Sequence, residues 1–307
     1  MPIFGPVRSR RLGLSLGVDL VPSKVCSMDC VYCEVGRTTR LTLERAEYRP
    51  FFELKASLKR ALREKNYDVV TLTGSGEPTL NIIFPEVVKL VRKLTDRPIA
   101  VLTNSTTLES PEVFSALCEV DYVLASLDAA RSESFRKVNR PAAGLEPERI
   151  VEALARLREA MSGELWLEIL LVKGLNDTPE DIEALKKAVL RIKPHRVQLN
   201  TVVRPPADPR AKPLSYAELL ALAREFGPEA EVLTRPPERR AGGGKIGAEE
   251  ILAYLRRRPA PAEELARAFG VSAEEIKRFL ENLVKDRKIE SLLFNGVEFF
   301  RFLSKDL

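Results

Sequence analysis

The 307-residue chain has a single histidine, His195, a single glutamine, Gln198, and four cysteines. With its one histidine far along the chain from the cysteines, a structural zinc site lacks the ligands it usually draws on. No run of eighteen apolar residues occurs, so no membrane-spanning helix is expected. The opening Met1-Pro2-Ile3-Phe4-Gly5-Pro6-Val7-Arg8 lacks the basic-then-apolar order of a secretion signal. Both absences imply a cytoplasmic protein, where thiols stay reduced and clustered cysteines serve metals or catalysis rather than disulfides. Charge of either sign is not in large excess. The net +5 and pI near 9.0 permit an anionic partner without demanding one.

What the chain does have is three cysteines within eight residues: Cys26-Ser27-Met28-Asp29-Cys30-Val31-Tyr32-Cys33. The spacing is C-x3-C-x2-C, with an aromatic residue before the last cysteine. Three thiolates on one loop can hold three irons of a [4Fe–4S] cube and leave the fourth open. Zinc would need a fourth soft ligand and usually takes two separated cysteine pairs. A redox pair of Cys30 and Cys33 leaves Cys26 idle and lacks the usual fold order. The iron–sulfur reading leads. Cys118, in Val113-Phe114-Ser115-Ala116-Leu117-Cys118, reads as a buried small hydrophobe.

Short apolar runs rich in Val, Ile and Leu lie at residues 12–21, 68–73, 99–104, 122–127, 165–172 and 196–201. Such runs suit parallel strands covered on both faces. Between them lie helix signals. Ser110-Pro111 and Thr178-Pro179 read as caps followed by proline at the first helical position, and Ser215-Tyr216-Ala217-Glu218 as a capping box. Six βα units predict an α/β fold. Six strands are too few for a closed eight-stranded barrel, so the expected form is a partial (β/α)6 TIM-like barrel with its site at the C-terminal strand ends. That domain is expected over 1–234, followed by a Pro-, Arg- and Gly-rich linker at 235–245. Residues 246–307 then read as helix, helix, turn, helix and a hairpin around Asn295-Gly296. That order is a winged helix-turn-helix, with a second capping box at Ser272-Ala273-Glu274-Glu275.

The cysteine loop after a first strand resembles the radical S-adenosylmethionine superfamily, and the resemblance extends in order over about residues 8–205. It implies that Cys26, Cys30 and Cys33 ligate the cluster and that S-adenosylmethionine chelates the open iron. Reductive cleavage then yields a 5′-deoxyadenosyl radical that abstracts hydrogen from substrate. The electron comes from an external flavodoxin- or ferredoxin-like reductant. The second strand ends in Thr73-Gly74-Ser75-Gly76-Glu77-Pro78, matching the family's Gly-Gly-Glu-Pro element with Ser75 at the first glycine of the pair. Glycines there let backbone approach a ligand. Tyr32 is expected near the cofactor.

Asn104 ends the third strand, where short polar side chains either face the site or cap a turn. Ser126 and Asp128 share a strand face and are read as contacts to the cofactor's ribose or ammonium. Gln198 and Asn200 share a face on the sixth strand, with Arg204 beyond it able to reach a carboxylate or phosphate. Arg8, Arg10 and Arg11 form either a solvated arm or an anion site at the barrel mouth.

This N-terminal region further resembles the wyosine-synthase-related subgroup but lacks its second cysteine set. Mixed charge on the helix after the turn (Glu274, Glu275, Lys277, Arg278, Glu281, Lys285) leaves the partner of the last domain open. An RNA base, or a peptide or protein bound along the wing, are the two substrate readings. A non-enzymatic, DNA-binding redox regulator is the third alternative. Whether the enzyme is an oxidoreductase or a transferase stays undetermined. Phe294, Phe299, Phe300 and Phe302 are expected in the hairpin core.

Overall fold

The computed structural model describes residues 2–9, 11–22, 24–233 and 247–303. The linker at 235–245 and Arg10 lie outside the described residues.

The elements of the first region are β1 (Ile3–Arg8), β2 (Leu14–Asp19), β3 (Val25–Cys26), β4 (Arg40–Leu41), α1 (Phe51–Glu64), β5 (Val69–Thr73) and α2 (Phe84–Leu94). They continue as β6 (Ile99–Thr103), α3 (Pro111–Cys118), β7 (Tyr122–Ser126), α4 (Ser132–Val138), α5 (Pro147–Ala160) and β8 (Glu164–Leu171). The last are α6 (Pro179–Ile192), β9 (Arg196–Thr201), α7 (Tyr216–Phe226) and β10 (Ala230–Val232). One sheet holds eight strands in the order β1-β2-β5-β6-β7-β8-β9-β10. All its neighbours from β2 to β10 are parallel, and only β1 is antiparallel. The six expected strands are all present. β1 and β10 are additions, one at each edge. The N-terminal segment is therefore a strand, not a solvated arm. Phe4 lies over Gly17, where an added Cβ would come 2.1 Å from the ring.

The main core lies between sheet and helices, from Leu16, Val18 and Leu72 to Phe84, Leu154 and Leu185. A smaller cluster of Val69, Ala100, Leu124 and Trp166 lies on the opposite face of the sheet. Thr178 and Ser215 cap their helices as the sequence predicts, each with proline or a capping box in place. At Ser272 only the serine half of the expected box forms. Cys118, expected to be buried, is half-buried at the end of α3.

The second region holds α8 (Ala248–Leu255), α9 (Ala262–Phe269), α10 (Ala273–Lys285), β11 (Ile289–Phe294) and β12 (Val297–Phe302). The two strands pair antiparallel around Asn295 (φ 48°) and Gly296 (φ 76°), both left-handed as a tight hairpin requires. Ile251, Leu265, Ile276, Leu280 and Phe300 form its core. Phe294 leaves that core and packs with Val31, Val172 and Val202 of the first region.

Candidate active site at the C-terminal strand ends

The cysteine loop leaves the end of β2 and is pinned at both flanks. β3 pairs with β4, and Thr42 N donates to the Cys26 carbonyl at 2.9 Å. On its inner side the loop crosses the glycine turn after β5: Glu77 N donates to Val25 O at 3.1 Å. An added Cβ on Gly76 would stand 1.7 Å from that same oxygen. Gly76 is thus required for the close approach of the cysteine loop, a neighbour the sequence alone does not name. Ser75 donates its N–H and hydroxyl to Asp19 at 3.1 and 2.8 Å. Gly74 packs on Val21, and Pro78 opens a short 3-10 turn.

Glu77 is buried, and its carboxylate accepts from Thr79 N, the Thr79 and Thr103 hydroxyls, and Asn104 N at 3.2, 2.6, 2.8 and 2.7 Å. With four donors satisfied internally, its side chain ties the β5 turn to the end of β6. Burial raises its pKa despite these bonds.

Each cysteine sulfur meets a side-chain N–H donor. Asn104 Nδ2 lies 3.5 Å from Cys26 Sγ, Asn139 Nδ2 lies 3.4 Å from Cys30 Sγ, and Lys24 Nζ lies 3.1 Å from Cys33 Sγ. Burial pushes the Cys26 thiol up to about 12, with the Glu77 carboxylate adding to it, and Cys30 well above its ordinary value. Whatever these sulfurs ligate must therefore displace protons.

Beside the loop is a small cavity lined by Met28, Tyr32, Asn104, Ser126, Asp128 and Asn139 among others. Ser126, at the end of β7, and Asp128, two residues beyond it, both line this cavity. Asp128 is buried and accepts from the Tyr32 hydroxyl, from Asn139 Nδ2 at 2.6 Å and from Leu170 N at 2.9 Å. Desolvation nevertheless raises its carboxyl to about 6. Asn139 Oδ1 is buried and has no hydrogen-bond partner among the described residues. A buried acceptor without a donor is a place for one to arrive.

Asn200 pairs with Leu170 across β8 and β9 and is not among the residues lining this cavity. It donates to Glu168 at 2.9 Å, and Glu168 also holds Arg11 at 2.5 Å. Arg11 reaches this pair from the N-terminal ends of the strands, opposite the cysteine loop, so it is not at the barrel mouth. Gln198 joins the same network through Arg11 and Glu231. Arg204 reaches carboxylates of its own chain: Glu34, one residue past Cys33, at 3.2 Å, and Glu264 of α9 at 2.9 Å. Sequence reading missed Lys24, Asn139 and Asn176. The last donates to the Asp128 and Leu170 carbonyls at 2.7 and 2.9 Å and so joins β7 to β8.

A family model for the Radical SAM superfamily matches residues 20–189, more than half of the chain. The chain belongs to that superfamily. It is therefore an enzyme. A UPF0026 protein of Helicobacter pylori (strain J99) is 34% identical over 311 residues, covering 97% of this chain and 96% of that one. A protein named GTPase Obg from Brachyspira hyodysenteriae is 34% identical over 300 residues, which is 96% of this chain and 44% of the relative. The chain thus spans less than half the length of that relative. Its one Gly-Lys step, Gly244-Lys245, is followed by Ile246, so it carries no P-loop signature. A probable RNA methyltransferase of Pseudomonas aeruginosa is 27% identical over 196 residues, 60% of this chain and 55% of the relative. Among solved structures, a radical SAM methyltransferase from Sphaerobacter thermophilus superposes with a TM-score of 0.53 at 19% identity. It covers 71% of this chain and 66% of that one, and the likeness is one of fold. No helix among the described residues is long and apolar enough to cross a membrane.

Proposed function

We propose that this radical SAM chain is a cytoplasmic enzyme that holds a [4Fe–4S] cluster through Cys26, Cys30 and Cys33 and S-adenosylmethionine in the adjoining cavity. The observation that carries the reading is the pairing at the site. Three sulfurs on one loop each face a side-chain N–H donor, and a buried acceptor, Asn139 Oδ1, awaits a donor. The residues fit the group: soft sulfurs for iron, and Tyr32, Ser126, Asp128 and Asn139 to receive ammonium or hydroxyl donors. When bound, cluster and cofactor supply one-electron cleavage of a sulfonium C–S bond and a carbon radical that takes a hydrogen atom from substrate.

The protein's own part is positioning. Asp128 is fixed by Leu170 N, Asn139 and Tyr32, so its carboxyl keeps one orientation at the cavity wall. Gly76 and Glu77 hold the cysteine loop against the β5 and β6 ends, and Gly74, Ser75 and Pro78 shape the turn that presents their backbone there. Asn200, through Glu168, supports the layer beneath. An external flavodoxin- or ferredoxin-like protein supplies the electron.

For substrate we favour an RNA base. The resemblance to wyosine-synthase-related proteins, the net positive charge and the relative named a probable RNA methyltransferase support it. We read residues 1–234 as the partial-barrel domain and 246–307 as a winged helix-turn-helix domain that recognises this partner.

Anaerobic reconstitution with iron and sulfide, followed by dithionite and S-adenosylmethionine, tests the chemistry. Formation of 5′-deoxyadenosine by the wild type and not by Cys30→Ala supports it; equal yields from both overturn it. Salt-sensitive binding of cellular RNA supports the substrate class, and binding of a peptide pool instead assigns the site to peptide modification.

A further inference from the structure

Lys24 is a buried cation in an unusual setting. Its backbone is left-handed (φ 65°), a conformation that a long side chain rarely adopts. That conformation is fixed from both sides. Lys24 N donates to Ser75 O of the glycine turn at 2.9 Å, and its carbonyl accepts from Thr39 N and Arg40 N, each at 3.1 Å. The residue is 6% exposed. Among the described residues its ammonium has one hydrogen-bond partner, the sulfur of Cys33, and no carboxylate pairs with it.

An ammonium withdrawn from water without a counter-charge is costly. The other sulfurs receive amide donors from Asn104 and Asn139, which carry no net charge and also serve Ser27 and Asp128. Only Cys33 accepts a hydrogen bond from a full positive charge among the described residues, and the same Lys24 charge also acts on Cys26. A cube held by three thiolates is net negative and gains a further negative charge on reduction. Charge and hydrogen bonds at the sulfurs are among the levers that set its potential.

Building on the cluster reading above, we propose that Lys24 is a positioning residue for the electron: its fixed charge beside Cys33 raises the reduction potential of the cluster. The step is a one-electron transfer from the external reductant to the cluster, with no bond made or broken. The Lys24 charge stabilises the reduced form more than the oxidised one.

The test uses the full chain, reconstituted without oxygen as wild type, Lys24→Gln, Lys24→Met and Lys24→Arg. Iron and sulfide are assayed first. The midpoint is then read from the EPR signal of the reduced cluster in a mediated dithionite titration without S-adenosylmethionine. At the wild-type midpoint, the reduced-to-oxidised ratio of the glutamine and methionine variants should fall about tenfold or more, equivalent to about 59 mV for one electron. The arginine variant, which keeps the charge, should stay within about threefold. A fully loaded Lys24→Gln or Lys24→Met with the wild-type midpoint overturns the inference. So does uptake of iron by the arginine variant alone, since the charge then serves to hold the cluster and not to tune it. A wild type that takes up no iron sinks the cluster reading itself.

Discussion

At the end of the sheet where the strands begin, Arg11, Asp68, Tyr122, Glu164, Trp166 and Arg196 line an opening wider than the one beside the cysteine loop. Every charge there is answered. Arg11 meets Glu168, Asp68 accepts from Leu14 N at 2.7 Å, and Trp166 Nε1 donates to Glu164 at 2.7 Å. Arg196 stacks on Trp166 at 4.7 Å. At the opposite end the opening is smaller but the accounts are unsettled. Thiols are held above their usual range, Asp128 titrates near 6, Asn139 Oδ1 has no donor, and Lys24 faces sulfur alone. The difference teaches that incomplete pairing locates chemistry better than the size of an opening does.

Four substitutions probe the two ends, the first with the largest expected effect. Cys30→Ala should abolish the iron–sulfur absorbance and reduce 5′-deoxyadenosine to background. Its unfolding free energy should stay within about 1 kcal/mol of wild type, since the substitution removes a single sulfur atom. Gly76→Ala should cost about 3 kcal/mol in urea unfolding and cut iron uptake, because the new methyl meets the Val25 carbonyl. Wild-type stability with full iron uptake would show that the loop yields freely.

Asp128→Asn acts through pH. Its folded pKa of about 6 lies above the ordinary 3.8, so the group's contribution is fully present below 3.8 and is lost as pH rises through 6. Urea unfolding of the iron-free protein should show the asparagine variant gaining on wild type across that window, by up to about 3 kcal/mol. Parallel curves would place Asp128 in wetter surroundings than its buried position implies. Arg11→Met, at the settled end, should cost about 2 kcal/mol of stability while keeping 5′-deoxyadenosine yield within about twofold. A far larger loss of yield would make the two ends one site.

Much of this arrangement was legible because it is local. Six strands announced themselves as apolar runs, and helix starts as caps, since both depend on neighbours within a few residues. β1 was not legible: two prolines and clustered arginines hide a strand whose residues are mostly half-buried. β10 is three residues long and has no pattern to read. At the site, the spacing of the cysteines could be read directly, and so could the place of Ser126 at a strand end. The partners of those groups could not. Asn139 lies 109 positions from Cys30, and Glu264 lies 60 from Arg204; only the folded topology brings such pairs together. Asn200 was legible as inward-facing, yet the neighbour that claims it, Glu168, sits on another strand. Phe294 obeyed its strand pattern but found its packing partners in the other region.

Side-chain N–H donors to the sulfurs come from positions 24, 104 and 139, and the glycine wall comes from position 76. During synthesis Lys24 precedes the thiols, but Gly76, Asn104 and Asn139 leave the ribosome well after them. A chain cut short ahead of Asn139 presents three reducing sulfurs with an incomplete housing. Such fragments, rather than the finished protein, are where oxidative cross-linking through this loop should concentrate.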